Sequence, residues 1–273
     1  MAFFDYKGMK IHYQIEGSGK PLLLLNGIMM TVQSWEPVME PLKAHNQVIR
    51  LDLLDQGLSE KQTNNYTIDD QADLVYAFVK HLGIEPIDAV GISYGGYIGL
   101  NLATRYPDFF DRLVIFHSSA RSDERERDMV FRQFARLADI GDPYAFYLGT
   151  VPLFYSATFY DNETEWMKKR EKLLVDFFKS DEYRESVKRL AISCLSHDLD
   201  SELHKIKCNV LIVNGEEDYI FARPRQQFLM DNIKGAQLIS IAKTGHVSPY
   251  ENPIIFTSII YGYINNPTFK FEI

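Results

Sequence analysis

The chain has 273 residues, of which 46% are hydrophobic and 24% charged, a composition that argues against disorder, collagen and low-complexity architectures. Lys and Arg number 29 against 37 Asp and Glu, a net charge of −8, and no dense basic run offers the positive face that a nucleic-acid partner needs. Cys194 and Cys208 are too few for a disulfide framework, and the longest purely aliphatic run, Leu22 to Leu25, is far short of the ~20 residues of a membrane span. Asp5 and Lys7 fall where a secretion signal would need its apolar stretch. The expectation is a soluble protein of the cytoplasm.

Phe3 to Tyr6 and Lys10 to Ile15, split by Gly8, read as a short hairpin. Leu22 to Leu25 is bounded by Pro21 and the Asn26-Gly27 turn, as suits a strand buried on both faces. Similar apolar runs follow at Gln47 to Leu53, Ile87 to Ile92, Arg112 to Phe116, Asn209 to Val213 and Gln237 to Ala242. Between them lie helical patterns. Thr67-Ile68-Asp69-Asp70 is a capping-box-like start for Leu74, Val75, Phe78, Val79 and Leu82 at helical spacing, with Gly83 placed to cap the end. Ile98 to Tyr106, Phe228 to Ile233 and Ile254 to Ile264 are the further core helices. Alternating strands and helices imply a mostly parallel α/β sheet covered on both faces.

Residues 120–205 break that rhythm. They hold helical stretches at Asp123 to Ile140, with Ser122 as its expected N-cap, at Glu163 to Lys179 and at Tyr183 to Leu195, but no convincing strand. They read as a helical cap or lid inserted into a core made of 1–119 and 206–273. Long insertions that are not linkers usually serve function.

The chemistry concentrates in Gly91-x-Ser93-x-Gly95, placed after an apolar strand and before a small-residue helix. A nucleophile elbow needs that setting, because a serine on so tight a turn tolerates only small residues two positions away on either side. A serine also needs a base and an orienting acid. The strand Val210 to Val213 runs into Gly215-Glu216-Glu217-Asp218, and Gln237 to Ala242 leads to Gly245-His246. Ser93, Asp218 and His246 thus follow one another in the order nucleophile, acid, base, each just beyond the carboxyl end of a strand. The bland readings are a serine that caps a helix, an acid in a surface turn beside Glu216 and Glu217, and a structural histidine. Their joint order and placement favour the triad. The other six histidines, His12, His45, His81, His117, His197 and His204, read as structural or solvated; of these, His117 and His197 flank the insertion, where a substrate contact stays open. No His/Cys cluster has metal-ligand spacing, so neither metal nor cofactor is expected.

These motifs resemble the α/β-hydrolase superfamily over nearly the whole chain. Gly215 to Asp218 is similar to the family's strand-Gly-x-x-Asp turn, and Gly245-His246 followed by Glu251-Asn252-Pro253 to its terminal Gly-His and Glu-x-Pro. Asp52 to Ser59 resembles its Asp-x-x-Gly-x-Gly-x-Ser loop, with departures at Asp55 and Gln56. A further departure is Asn26-Gly27-Ile28-Met29, where the family commonly has His-Gly after the strand. The resemblance implies an α/β-hydrolase fold with a helical cap, and an oxyanion hole made by the backbone N–H groups of Ile28 and Tyr94. Each such donor contributes on the order of 3 kcal/mol of transition-state stabilisation. Asn26 is expected to orient the loop.

The serine argues against dehalogenases of this fold, which use Asp at the elbow. What remains is hydrolysis of a small or medium, largely apolar carboxylic ester, thioester or lactone. The alternatives are a carbon–carbon bond hydrolase of the meta-cleavage type and a non-catalytic ligand receptor of the same fold. The expected partner is a small molecule, not nucleic acid or membrane; a homodimer stays open. Tyr144, Phe146, Tyr147, Phe154, Tyr155, Phe159 and Tyr160 crowd into 17 residues together with Gly149 and Pro152. Phe146, Phe154 and Phe159 are therefore expected to line a pocket that favours uncharged, apolar substrates.

Overall fold

The computed structural model describes residues 1–266; the last seven residues of the expected second core segment lie outside them. Strands β1 (Ala2–Tyr6) and β2 (Met9–Glu16) form the hairpin, turning at Lys7 and Gly8, both with positive φ. They join β3 (Lys20–Leu25), β4 (Asn46–Leu51), β5 (Ile87–Ile92), β6 (Phe110–Phe116), β7 (Asn209–Gly215) and β8 (Gln237–Ile241) in one eight-stranded sheet of order β1-β2-β4-β3-β5-β6-β7-β8. β2 is antiparallel to both neighbours, and every pair from β4 through to β8 is parallel.

Strand alternation splits the core into two layers. Leu23 and Leu25 face one side with α2 (Ile68–Leu82) and α3 (Tyr94–Arg105). Leu22 and Leu24 face the other, with Trp35, Val38, Met39 and Leu42 in or beside α1 (Glu36–Lys43) and Phe256, Ile260 and Ile264 of the C-terminal helix Pro253–Asn265. That is why the apolar runs are continuous rather than alternating. α2 is capped as its sequence predicts: Thr67 and Asp70 exchange side-chain and backbone hydrogen bonds, and Gly83 ends the helix in the left-handed region. α1 escaped the sequence reading because Pro37 and Pro41 interrupt its pattern. Pro37 sits in the first turn, where its missing N–H costs nothing. α3 starts at Tyr94, four residues earlier than expected, because Gly95 and Gly96 carry no apolar side chain to signal a helix.

Between β6 and β7 the regular structure is helical. It runs α4 (Glu124–Glu126), a π-helical turn Arg127–Arg132, α5 (Gln133–Ile140), α6 (Pro143–Thr150), a 3₁₀ turn Val151–Phe154, α7 (Ala157–Asn162), α8 (Thr164–Phe178) and α9 (Asp181–Ser193). The N-cap of the first helix is Asp123, not Ser122. Asp123 and Glu126 form the reciprocal capping pair, while the Ser122 hydroxyl is spent on Cys194 O and Tyr97 Oη. After β7 follow α10 (Arg223–Asn232), β8, α11 (Ser248–Glu251) and α12, the C-terminal helix already named.

One buried ion pair pins the helical segment to the core. Arg189 of α9 donates from Nε and Nη2 to the two carboxylate oxygens of Asp55, at 2.9 and 2.8 Å, and the Asp55 side chain is fully buried. Asp55 holds a positive φ of 68°, where the family's glycine would be unstrained; the charge compensates for that conformation by gaining a partner 134 residues away. Removing one member of a buried pair leaves the other uncompensated. Arg189→Met is expected to cost about 3–5 kcal/mol in urea unfolding, and Asp55→Asn in the same chain to recover much of it; a loss below 1 kcal/mol would show that the pair does not anchor the segment.

Candidate functional site

The elbow is built by close backbone approach. Ser93 adopts φ 53°, ψ −112°, directly between β5 and α3. A Cβ on Gly91 would lie 2.5 Å from Gly95 O, and one on Gly95 would lie 2.1 Å from Leu25 O. No residue but glycine fits either place, which gives the spacing around Ser93 its steric cause. The strained serine is held by Ser93 N donating to Phe116 O at 2.9 Å and by Ser93 O accepting from Gly96 N and the Ser118 hydroxyl at 2.8 Å.

Asp218, at the turn after β7, accepts from Ile220 N and Phe221 N on Oδ1. Its Oδ2 lies 3.0 Å from His246 Nδ1 and 3.3 Å from His117 Nδ1. The Asp218 side chain has no exposed surface. Burial by itself would raise its carboxyl, but the His246 charge and the hydrogen bonds from His117 and His246 prevail and hold it well below the usual range. Its neighbour Glu217 instead reaches Thr158, accepting from its backbone N–H and its hydroxyl. Among the described residues, one ring nitrogen each of His117 and His246 and a carboxylate oxygen of Asp218 lie within 4.8 Å of one another; His246 Nδ1 is hydrogen-bonded to the carboxylate, and His117 Nδ1 lies 3.3 Å from it.

Ser93 and His246 line one cleft, which encloses about 710 Å³ of empty space including its open mouth. Ile28, Ser93, Tyr94 and His246 together line an adjoining recess, and neither Ile28 N nor Tyr94 N donates to an acceptor among the described residues. No hydrogen bond joins Ser93 Oγ to the His246 ring. The loop bearing Ile28 is fixed by the residues that depart from the family pattern. Asn26 accepts from Trp35 Nε1 at 2.6 Å and donates to Leu51 O and to Gln56 Oε1, each at 3.0 Å. Gln56 in turn donates to Gly27 O at 2.8 Å.

The three expected pocket aromatics separate. Phe154 lines the cleft and stacks on the His246 ring, centroids 5.8 Å apart, and its carbonyl accepts from His246 N at 2.8 Å. Phe146 does not reach the cleft: it is fully buried within the helical segment, edge-on to Phe178 at 4.9 Å. Phe159 packs on Tyr155 and Trp166 rather than on the cleft. The short α6 puts Phe146 on its inner side, an orientation that crowding in the sequence does not reveal. His117 and His197 are likewise buried, His197 against Tyr97 at 4.5 Å, and neither lines the cleft.

A residue missed by the sequence reading is Arg170 of α8. It lines the cleft with its guanidinium 5.0 Å from the Tyr250 ring and 5.9 Å from that of Trp166. Its Nε has no hydrogen-bond partner, the phenol groups of Tyr155 and Tyr250 engage the rest of the guanidinium, and no carboxylate among the described residues forms an ion pair with it. Trp166 and Arg170, one helical turn apart, are the only trace in sequence, and a charged α8 disguises them as an ordinary solvated face.

Truncation separates lining from packing. Phe146→Ala is expected to lower stability by about 3–5 kcal/mol and leave preference among ester chain lengths unchanged. Phe154→Ala is expected to change the ratio of long-chain to short-chain kcat/KM by about tenfold. The reverse pattern in a p-nitrophenyl ester series would place the pocket elsewhere.

Residues 20–253 match the family model described as the alpha/beta hydrolase fold. The crystal structure of MGS-M2, an alpha/beta hydrolase enzyme from a Medee basin deep-sea metagenome library, superimposes with a TM-score of 0.96, 34% identity and full coverage of both chains. The 2-hydroxymuconate semialdehyde hydrolase of Pseudomonas sp. (strain CF600) is 28% identical over 94% of this chain and 91% of its own. A putative carbamate hydrolase, RutD, of Caulobacter sp. (strain K31) is 25% identical over 94% of each. With the parallel sheet, the glycine-bounded elbow at Ser93 and a family match across most of its length, the chain belongs to the α/β-hydrolase family.

Proposed function

We propose that the chain is a cofactor-free serine hydrolase of small or medium carboxylic esters or lactones. The observation that carries this reading is the Asp218–His246 contact of 3.0 Å, with the Asp218 side chain fully buried, beside a cleft that His246 shares with the strained Ser93. Asp218 accepts a hydrogen bond from His246 Nδ1–H, which fixes the tautomer that leaves the Nε2 lone pair free to act as base. Ser93 Oγ attacks the carbonyl carbon, His246 takes its proton and delivers it to the leaving alkoxide, and water repeats the sequence on the acyl-enzyme. The contact from serine to imidazole, absent in the resting arrangement, is of the kind that tightens when substrate arrives. Ile28 N and Tyr94 N, both free to donate and both lining the recess beside Ser93, are assigned to the developing oxyanion. The insertion serves as the lid, with Phe154 shielding His246 from water.

Ser93→Ala and His246→Ala are expected to lower kcat for p-nitrophenyl esters by on the order of 10⁴-fold or more with little change in Tm. Asp218→Asn is expected to preserve the fold but favour the wrong imidazole tautomer. Rapid labelling of Ser93 by a fluorophosphonate separates catalysis from mere ligand binding. Undiminished turnover in Ser93→Ala, or no labelling, would overturn the assignment.

Arg170 favours a second reading of the substrate. A guanidinium with no carboxylate partner among the described residues, lining the same cleft as Ser93 and His246, suits a carboxylate-bearing molecule, as the dienoic ketoacid substrate of a carbon–carbon bond hydrolase would be. The two readings share the triad and differ in the bond cleaved. Arg170→Gln is expected to remove about 1.5–3 kcal/mol of binding to a dienoic ketoacid, roughly a ten- to hundredfold rise in KM, while KM for an uncharged ester stays within about twofold. Equal effects on both substrates would remove the support that Arg170 lends to this reading.

A further inference from the structure

We propose that His117 is a positioning residue, a neutral imidazole that donates to the carboxylate of Asp218 and shares it with His246. This rests on Asp218 and His246 acting as acid and base in the reading above. His117 follows β6 directly, with a φ of 51° that turns it inward and its backbone N–H donating to Val213 O at 2.9 Å. The ring is entirely buried, its centroid 5.5 Å from that of His246. Nε2 lies 2.9 Å from the Ser248 hydroxyl; Nδ1 completes no hydrogen bond among the described residues, and the acceptor it faces is Asp218 Oδ2 at 3.3 Å.

The tautomer follows from these neighbours. A lone pair on Nδ1 would face a carboxylate oxygen, which is repulsive, so the proton sits on Nδ1 and the Ser248 hydroxyl donates to Nε2. Asp218 then has two amide donors on Oδ1 and two imidazole donors on Oδ2, which fills the acceptor sites of a carboxylate. Two titratable groups face the His117 ring, Asp218 from the turn after β7 and His246 from the loop after β8; Ser248 of α11 faces it as an uncharged partner. Burial disfavours a positive charge on the ring more than Asp218 favours one, and a charged His246 opposes it further, so His117 stays uncharged while His246 cycles.

The consequence concerns how strongly Asp218 supports a proton on His246. A second donor on Oδ2 draws charge from the oxygen that His246 uses. Losing it would make the carboxylate a better partner for the imidazolium, so His246 would hold its proton to higher pH and the acid limb of kcat/KM would move upward. Asn and Gln discriminate this from packing, since an Asn amide falls near the position of imidazole Nδ1 and a Gln amide near Nε2. His117→Gln is expected to move the acid-limb midpoint up by about 0.5–1 pH unit, and His117→Asn to stay closer to wild type. The same order is expected in the midpoint of the His246 ring resonances followed by NMR, which needs no turnover. Equal midpoints in the two variants, whether shifted or not, would show that His117 merely packs. If the wild-type enzyme instead turned over no ester, lactone or dienoic ketoacid, the hydrolase reading would fail by itself, and the NMR comparison would still decide the contact between His117 and Asp218.

Discussion

A carboxylate denied all contact with water must find its donors inside the protein, and Asp218 does so from three separate loops at the carboxyl edge of the sheet. Its own turn supplies two amides, the loop after β8 supplies His246, and the residue after β6 supplies His117. Parallel strands bring these loops to the same edge: β7 and β8 end level at Gly215 and Ile241, and β6 ends at Phe116 opposite Val213, just short of the end of β7. The sheet therefore does more than bring Ser93, Asp218 and His246 to one edge. It sets the register within which an otherwise prohibitive buried charge becomes favourable, and His246 gains a fixed tautomer and a partner for its positive form from the same arrangement.

The departures from the family pattern are explained by one another. Asn26 stands where a histidine is common, and Gln56 departs in the loop after β4; the two side chains bond to each other and together hold Trp35, Leu51 O and Gly27 O. A buried amide has both donors and acceptors to satisfy, so replacing one residue of such a network calls for a complementary partner. Asp55, the remaining departure, is matched by Arg189 far along the chain in α9. These substitutions keep the loop of Ile28 in place and tie the inserted helices to the core.

Further polar ties run from the inserted segment to the loops of the site. Glu251, in the Glu-x-Pro motif, accepts from Gly245 N and from both the backbone and hydroxyl of Ser156, and Glu217 does the same for Thr158. Burial pushes the Glu251 carboxyl up, which the donors from Ser156 and Gly245 only partly offset. The stretch from Phe154 to Thr158 is in this way held against His246 and Asp218. Arg170 reaches the same cleft from the outer helix α8, so the aromatic wall and the cation arrive from different elements.

From its sequence alone the chain declares a parallel α/β sheet, a helical insertion between two core strands, an elbow serine and the order of its candidate partners. All of these are local: an apolar run, a glycine spacing, a cap signal, a strand end. Backbone sterics make Gly91 and Gly95 legible around Ser93, because nothing else fits. Tertiary structure alone decides which aromatics face the cleft, that Asn26 meets Gln56, that Asp55 meets Arg189, and that His117 lies on Asp218. Those outcomes depend on pairings across tens to more than a hundred residues of chain. A side chain's neighbours across such a distance are set by how helices and strands pack, and no periodicity in the sequence encodes them.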